Sequence, residues 1–357
     1  MGKNRRIAFG VFDWGLGHAT RCKPLAQALL DAGCEIEFIS TGRALKVLRE
    51  HFGKRCGYHD VPSIISPYVA SDHFVFSFIK NGPKMLESLK MARHKSKAVL
   101  ERGDYDIVVS DCRYDVYGEK KRSYLINHQL RFAAPFGTEL FAEAWLAHRM
   151  GKYRKVIVPD YPGKDNLSGR LSHKLNFIKK SNIEYIGHLS HIGRRECAKD
   201  IDYLISLTGP EPQRSVLEEM IFKQVRQLDG SVLIAGGNPD TAKPKIPPSV
   251  TYHPYLGTEE MSDCLNRCKC FVSRSGYTSM MELTEVGVRN ALLIPTPGQT
   301  EQEYLGKLYR KREYFHSVKQ KRLSLAADVK KAEKCGGFSP KWNSRQSVRN
   351  FLAAIGI

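Results

Sequence analysis

The stretch "DWGLGHATR", Asp13 to Arg21, decides the fold because it lies between an apolar run and an amphipathic one. The run before it, "RIAFGVF", predicts a buried strand, and "TRCKPLAQALLDAG" after it predicts a helix that ends at Gly33. Gly15 and Gly17 let the backbone approach a ligand closely, and the N-terminus of a helix favours anions. Thr20 replaces the third glycine of the pattern G-x-G-x-x-G, so we do not expect a dinucleotide site of that type.

Strands and helices alternate along the first half of the chain. The runs "CEIEFIST", "YDIVVSD", "SYLINHQL" and "KVIVPD" predict strands, with helical or loop segments between them. Such alternation indicates a parallel sheet that is covered by helices on both faces. The pattern restarts near residues 188–202 with "DYLISLTG", "GSVLIAGG", "KCFVSRSG" and "NALLIPT", so we interpret that stretch as a hinge between two domains.

These patterns predict an α/β protein with two Rossmann-like, doubly wound domains that face a central cleft. The first domain is expected over residues 1–190 and the second over 191–340, with a C-terminal helix over 341–357 that packs back on the first. Sheets of this kind bind ligands at the carboxyl ends of their strands. The residues that follow each strand are therefore the candidates for a functional site.

The composition narrows the partners without choosing among them. The 357 residues include 56 Lys and Arg against 37 Asp and Glu, a net charge of +19, which suits nucleic acid, anionic lipid or a phosphorylated substrate. No run approaches the ~20 apolar residues of a membrane span, and no signal peptide is visible, so we expect a cytoplasmic protein with reduced cysteines. The cluster Cys264, Cys268 and Cys270 has no second ligand pair, and we expect core cysteines there rather than a metal site.

In the first half, His18 and Asp111 are the candidates for acid–base chemistry. His18 follows the first strand, and Asp111 ends the strand "YDIVVSD", so both are expected at the same edge of the sheet. A carboxylate there can orient a histidine and raise its basicity. The alternative is that His18 packs against the turn and Asp111 caps a helix, and the sequence leaves both interpretations open.

In the second half, three strand ends carry candidate binding groups. "SRSG" ends a strand at Ser275 and Gly276 before a helix, which predicts a phosphate-binding turn, and Gly209 precedes another helix. Glu282 lies one to two turns along the first of these helices, where a carboxylate can accept both hydroxyls of a ribose. After the last of these strands come polar groups that suit sugar hydroxyls or, alternatively, a solvated loop: Gln299, Gln302 and Glu303.

The second-half pattern resembles the donor-binding half of GT-B glycosyltransferases, most of all the MurG type. "SRSG", the glutamate that follows, the strand ending at Pro295 and Gln302 carry that resemblance, and the early Gly-x-Gly-His resembles the N-terminal loop of the same superfamily. The resemblance implies that the backbone and side chains of the first helical residues hold a diphosphate, and these are Tyr277, Thr278 and Ser279. It further implies a ribose on Glu282, the nucleotide base near Leu256 and the transferred sugar near Gln302.

Plant-type UDP-glycosyltransferases, to which the chain is also similar, use a histidine after the first strand as general base with a supporting aspartate. The resemblance assigns these roles to His18 and Asp111. Two positions depart from the MurG pattern, since Glu303 stands in place of a glutamine and Gly306 in place of an asparagine. N-acetylglucosamine is therefore not implied as the donor sugar, and the acceptor is not implied either.

The resulting hypothesis is an inverting, metal-independent glycosyltransferase with a UDP-linked donor and no other cofactor. Backbone amides near Gly209 and Tyr277, assisted by Arg214, are expected to stabilise the charge on the leaving diphosphate. Two alternatives remain: a UDP-sugar 2-epimerase of the same fold, and a basic nucleic-acid-binding protein, which the dispersed charge and the lack of an RNA-binding or DNA-binding motif disfavour.

The segment Phe74 to Lys97 predicts a membrane-facing surface. It combines apolar residues at its start with repeated lysines and arginines, a pairing that suits an interfacial segment on anionic lipid. A core strand followed by a solvated helix would explain the same pattern. With the first interpretation, the acceptor would be lipid-linked and the enzyme peripheral on the inner face of the membrane.

Overall fold

The computed structural model describes residues 4–64, 74–119, 121–132, 138–238 and 246–357, with the side chains of 74–81 and 138 excepted. The described chain divides into two compact units. Unit 1 contains residues 4–64, 74–191 and 341–357, and unit 2 contains residues 192–340. Each unit is built on its own parallel sheet.

In unit 1, seven parallel strands form a sheet within the described residues, in the order β3-β2-β1-β4-β5-β6-β7. The strands are β1 Arg6–Val11, β2 Glu35–Ser40, β3 Gly57–Asp60, β4 Ile107–Asp111, β5 Arg122–Ile126, β6 Lys155–Val158 and β7 Ile183–Tyr185. The connecting helices are α1 Leu16–Asp31, α2 Gly42–Phe52, α3 Phe74–Arg102 and α4 Thr138–Met150. The inner strands β1 and β4 are buried almost throughout, which explains their continuous apolar sequences.

The order of the strands reverses between β1 and β4. Val11 at the end of β1 is in register with Asp111 at the end of β4. From β1 the chain leaves to one side and from β4 to the other, so their carboxyl ends diverge and leave a crevice where such sheets bind ligands. This reversal of strand order is the topological switch point of the sheet. His18, in the first turns of α1, and Asp111 both lie there.

Unit 2 repeats the plan with six parallel strands in the order β10-β9-β8-β11-β12-β13 within the described residues. The strands are β8 Ile201–Ser206, β9 Val232–Ala235, β10 Val250–His253, β11 Cys268–Ser273, β12 Asn290–Leu293 and β13 His316–Ser317. The helices are α5 Gln213–Gln224, α6 Thr258–Arg267, α7 Tyr277–Val286, α8 Thr300–Lys311 and α9 Leu325–Ala332. Here the strand order reverses between β8 and β11, so the loops after these two strands flank the second crevice.

The last helix, α10 Ser344–Ile355, belongs to unit 1 and packs on α1. The Asn343 side chain caps it by accepting from the Gln346 amide at 3.0 Å. The segment leading into it is tied to the same unit, since Tyr161 donates to the Trp342 carbonyl at 2.9 Å. At its other end, Arg122 donates to the Ile355 carbonyl at 2.5 Å.

Two local features differ from the sequence prediction. Helix α1 begins at Leu16 rather than near Thr20, because Gly15, with φ of 90°, already makes the turn out of β1. Phe74 to Lys97 lies in α3, so the alternative of a core strand at its start is wrong. The side chains at the start of that segment lie outside the described residues. None of the helices in the described ranges is both long enough and apolar enough to cross a membrane.

The three clustered cysteines of unit 2 lie in its interior. Cys264, Cys268 and Cys270 are all at most 7% exposed. Burial raises the pKa of the Cys268 thiol to about 12 and also raises that of Cys264. These side chains are therefore neutral, packed thiols, as the sequence predicted for core positions.

Candidate active site

At the switch point of unit 1, the structure brings His18 and Asp111 together. Nδ1 of His18 lies 3.3 Å from Oδ1 of Asp111, although the residues are 93 positions apart in sequence. Asp111 is fully buried, and the His18 side chain keeps 16% of its surface exposed. The Phe12 ring meets the His18 ring edge-on at 5.3 Å between centroids and limits its movement. The imidazole is thus held at the mouth of the crevice with one edge toward Asp111.

The sequence analysis missed Arg21, which dominates this site. Its Nε donates to Asp111 Oδ2 at 2.8 Å, and its Nη2 makes a short hydrogen bond to Oδ1. Cys22 donates its thiol proton to Oδ2 at 3.1 Å. Arg21 is 2% exposed, so this is a buried two-point ion pair. The helical spacing of three residues between His18 and Arg21 was the available signal, because it places both on one face of α1.

Arg21 also contacts the histidine itself. Its Nη2 lies 2.9 Å from Nδ1 of His18, and its Nη1 lies 3.0 Å from Nδ1 of His128. A guanidinium can only donate, whereas a carboxylate can only accept. Asp111 therefore favours a proton on Nδ1 of His18, and Arg21 favours a lone pair there. The two neighbours compete for the same nitrogen.

The electrostatics follow from these contacts. Burial lowers the pKa of His18, the Arg21 charge lowers it further, and Asp111 offsets only part of the change. For Asp111, burial opposes ionisation, but Arg21 and His18 together hold the pKa of the carboxyl well below its usual range. At neutral pH the site contains an ionised Asp111, a cationic Arg21 and a neutral imidazole.

The donor atoms of His18, Asp111 and Cys112 all lie within 4.8 Å of one another, the one such group of potential metal ligands found in the described ranges. The charges do not suit a cation. Arg21 donates to both oxygens of Asp111 and lies 3.4 Å from the Cys112 sulfur. Burial raises the pKa of the Cys112 thiol far above its usual value, so it is not a thiolate. We therefore assign no metal to this group.

At the switch point of unit 2, helix α7 starts directly after β11. Gly276 is its N-cap, and the first bond of the helical ladder runs from the Met280 amide to the Gly276 carbonyl at 3.2 Å. The amides of Tyr277, Thr278 and Ser279 precede that bond and lie at the positive end of the helix dipole. Ser275 donates its hydroxyl to the Gln302 carbonyl at 2.8 Å and so ties this turn to α8.

Glu282 is partly buried on α7. Burial raises the pKa of its carboxyl to about 7. It lies one to two turns from the helix start, as the spacing predicted, and it combines desolvation with a position near an anion-binding helix end. Such an environment is typical of a ligand-binding carboxylate rather than of a surface glutamate.

Gly209 follows β8 with φ of 116°, a conformation that favours glycine. A side chain there would begin 3.5 Å from Oγ1 of Thr296 and 3.6 Å from Nε of Arg274. Thr296 is 1% exposed, and its hydroxyl oxygen has no hydrogen-bond partner in the part of the chain that the structure describes. A buried hydroxyl without a partner costs free energy unless a ligand completes it.

Arg274, also missed by the sequence analysis, is 2% exposed beneath these loops. It donates to five neutral oxygens and, within the described ranges, to no carboxylate: the carbonyls of Thr208, Gln213, Ile294 and Pro295, and Oε1 of Gln320. Burial lowers the pKa of its guanidinium to about 10, so the group is still cationic at neutral pH. An uncompensated charge therefore lies at the carboxyl end of this sheet.

Arg214, which the sequence offered as the assisting cation, is differently placed. It donates to Oε1 of Glu211 at 2.5 Å and lies 3.2 Å from Oε2 of Glu218. It also donates to the Gly236 carbonyl at 3.0 Å. Two carboxylates balance its charge, and its bonds fasten the loop before α5 to the end of β9.

The remaining predicted residues line the last loops of unit 2. Gln302 accepts from the Thr296 amide at 2.9 Å, and Glu303 accepts from the Gly298 amide at 3.4 Å. The Gln302 amide group also donates to Gln299. These side chains shape the loop after β12, whereas Leu256, 8% exposed, lies in the loop between β10 and α6.

Comparison with known proteins agrees with this geometry. No family model matches the chain. An uncharacterized glycosyltransferase of Methanosarcina mazei is 27% identical over 341 residues, which cover 84% of this chain and 81% of that protein. Arabidopsis thaliana UGT89C1, solved with UDP-L-rhamnose, is similar at a TM-score of 0.63 with 14% identity, over 99% of this chain and 100% of that one. Acinetobacter baumannii MurG is similar at a TM-score of 0.56 with 13% identity, over 99% of both chains.

The fold and both switch-point sites define an α/β protein with the GT-B fold, as the sequence predicted. The curated relatives are named glycosyltransferases. The chain is an enzyme of that class, and the resemblance stated from the sequence is confirmed.

Proposed function

We propose that this enzyme transfers a sugar from a nucleotide diphosphate donor, UDP-linked, to a hydroxyl acceptor with inversion at the anomeric carbon. The observation that carries the proposal lies at the switch point of unit 2, where, within the described residues, buried Arg274 has no carboxylate partner and the Thr296 hydroxyl near it has no hydrogen-bond partner. A diphosphate supplies the negative charge that would balance Arg274 and an acceptor oxygen for the Thr296 hydroxyl. Structural neighbours solved with UDP-L-rhamnose and with dTDP support a nucleotide-sugar donor.

Three features of unit 2 support the proposed position of the donor. Its diphosphate lies at Gly209 and at the amides of Tyr277, Thr278 and Ser279, with the positive charge of Arg274 behind them. Its ribose lies on Glu282, and its base lies near Leu256. The transferred sugar is bound by Gln299, Gln302 and Glu303. To do so, its hydroxyls replace some of the hydrogen bonds that these side chains make within the loop after β12.

The positive charge of Arg274 and the α7 amides take the role that a divalent cation has in metal-dependent transferases. As the bond between the anomeric carbon and the diphosphate breaks, negative charge builds on the leaving oxygen. Fixed donors at that point lower the energy of the transition state without having to reorganise. The proposed reaction is therefore metal-independent.

Unit 1 supplies the base. The acceptor oxygen attacks the anomeric carbon on the face opposite the diphosphate and gives its proton to His18, and the nucleoside diphosphate leaves with the bonding electrons. Asp111 then stabilises the imidazolium. The deprotonated state of His18 at neutral pH, which its lowered pKa favours, is the state that this step requires.

The proposal is tested first by donor binding. UDP-, GDP- and dTDP-sugars are screened by thermal shift, because a ligand that binds only the folded protein raises its melting temperature. We expect the UDP-sugars to give the largest shift, with and without EDTA. Equal shifts for all three nucleotides would contradict the UDP assignment, and no shift with any of them would contradict the donor site itself.

We also propose that α3 contacts anionic lipid. Its described part carries exposed Leu86 and Met91, 48% and 53% exposed, together with exposed Lys84, Lys90 and Lys95. Apolar side chains next to lysines are typical of interfacial helices, and they fit a lipid-linked acceptor. Flotation with phosphatidylglycerol vesicles at low salt should recover the protein. Neutral vesicles are the control. Absence of binding to the phosphatidylglycerol vesicles would contradict this proposal.

A further inference from the structure

We propose that Arg21 is a positioning residue that sets the proton affinity of His18 by binding both oxygens of Asp111. The inference rests on the proposed function for the role of His18 as base. It concerns a group that the described reaction does not otherwise use. A buried arginine that contacts both the orienting carboxylate and the imidazole is in a position to control their chemistry.

The first step is geometric. In a simple histidine–aspartate pair, the carboxylate faces the imidazole alone and raises its basicity. Here Arg21 takes Asp111 through Nε at 2.8 Å and through Nη2, whereas His18 is farther away, at 3.3 Å. The carboxylate is therefore oriented mainly by Arg21, and His18 is the secondary partner.

The second step is electrostatic. The Arg21–Asp111 pair is neutral as a whole, so its field on the imidazole is small compared with that of a lone carboxylate. A proton on Nδ1 of His18 would face the Arg21 Nη2 donor at 2.9 Å. The other titratable groups nearby are Cys112, whose thiol is neutral, and His128, whose Nδ1 lies 3.0 Å from Nη1 of Arg21. Protonation of His18 is thus disfavoured, and the base stays free.

His18 is therefore a weak base, but its imidazole is neutral and can accept a proton. Removal of the Arg21 charge would leave Asp111 as a lone carboxylate beside His18, and the imidazole would become more basic. A larger fraction of His18 would then be protonated near neutral pH, and that fraction would be unable to take a proton from the acceptor. The guanidinium is therefore required for the activity near neutrality that the mechanism assumes.

The test is a proton titration of His18 by NMR, which needs no acceptor. Protein labelled with 13C-histidine is titrated, and the His18 signal is identified by its loss in His18→Gln. In Arg21→Met we expect the midpoint to rise by about one pH unit or more, a tenfold gain in proton affinity. In Arg21→Lys, which keeps the charge, we expect less than half of that rise.

Two further variants distinguish a specific shift of the His18 midpoint from a general loss of folding. Arg21→Met/Asp111→Asn removes both charges, so the core is not left with a lone carboxylate, and the His18 midpoint should return to within about half a unit of the wild type. Arg113→Met breaks the neighbouring buried pair, in which Arg113 donates to Asp115 at 2.7 and 2.8 Å. It should lower stability without moving the His18 midpoint.

An unchanged or lowered His18 midpoint in folded Arg21→Met would overturn the inference. If Arg21→Met does not fold, a double variant that differs from wild type by more than about one unit would overturn it equally. The expected His18 midpoints in the Arg21 variants, combined with full transfer activity in His18→Ala, would instead contradict the proposed function and leave the role of Arg21 intact. The two failures are thus distinguishable.

Discussion

Each unit buries an arginine at the switch point of its sheet, and the two differ in what they face. Arg21 in unit 1 binds both oxygens of Asp111. Arg274 in unit 2 binds carbonyl and amide oxygens only, in the part of the chain that the structure describes. A buried cation is costly unless it is paired, so the pairing of each arginine indicates what its site is for.

The difference separates the chemistry of the two units. In unit 1 the charges cancel, which leaves a neutral histidine suited to accept a proton. In unit 2 the positive charge of Arg274 has no counter-ion within the described residues, which suits an anion such as a diphosphate. Under the proposed function, the same fold element, a strand end at a reversal of strand order, would serve proton transfer in one unit and charge binding in the other.

The largest effect is expected at His18 in unit 1. His18→Ala should lower kcat by about 10²–10⁴-fold, because a general base typically contributes that much. Calorimetry should show donor binding unchanged, since the proposed donor site lies in unit 2. Turnover close to that of the wild type would remove His18 from the role of base, and a parallel loss of UDP binding would contradict the division between the units.

Breaking the paired arginine should affect stability. From the sequence, Asp111→Asn was expected to cost less activity than His18→Ala. The structure adds that it leaves Arg21 buried without a counter-ion, so we expect the free energy of unfolding to fall by about 3–5 kcal/mol in urea titrations. Arg274→Met, which removes a charge that has no counter-ion among the residues that the structure describes, should cost less. A larger loss for Arg274→Met would contradict the contrast between the two sites.

The unpaired arginine should affect ligand binding. Arg274→Gln should weaken UDP binding by about 1–4 kcal/mol, the Coulomb attraction between two charges about 4 Å apart in surroundings between bulk water and a protein surface. Uridine, which lacks the phosphates, should bind equally to both proteins. Calorimetry with UDP and uridine on the wild type and on Arg274→Gln measures the difference in affinity. Arg214→Gln is the matched control, because two carboxylates balance the charge of Arg214 in the wild type. An equal loss of UDP and uridine affinity would make Arg274 a purely structural residue.

Glu282 gives the smallest effect and sharpens the assignment of the ribose. Glu282→Gln should weaken UDP and uridine alike, by about tenfold above pH 7, where the wild-type carboxylate is ionised. Because the folded pKa of about 7 lies above the unfolded value of 4.5, the wild type loses stability as pH rises between them. In melting curves, the stability of Glu282→Gln relative to the wild type should therefore increase as the pH rises from 4.5 to about 7. A lower melting temperature with unchanged affinity would make Glu282 a helix-stabilising residue.

The sequence predicted the fold and the strand ends because buried parallel strands carry continuous apolar runs. The edge strands β3 and β7 were missed, since "GYHD" and "IEY" are only partly buried and lack such a run. His18 and Asp111 were predicted to be close because both follow central strands. Arg21 was missed because its carboxylate partner lies 90 residues away, and Arg274 because nothing local in "SRSG" shows that its side chain turns inward.

The central claim is that a nucleoside diphosphate binds at the switch point of unit 2, and a crystal structure of the UDP complex tests it most directly. We expect a phosphate oxygen within hydrogen-bond distance of Oγ1 of Thr296 and of the amides that open α7, with the ribose hydroxyls on Glu282. Arg274 should keep its carbonyl contacts and lie behind the diphosphate. A diphosphate bound instead at Gly15 and Gly17 of unit 1, with the Thr296 hydroxyl still unpartnered, would contradict the account.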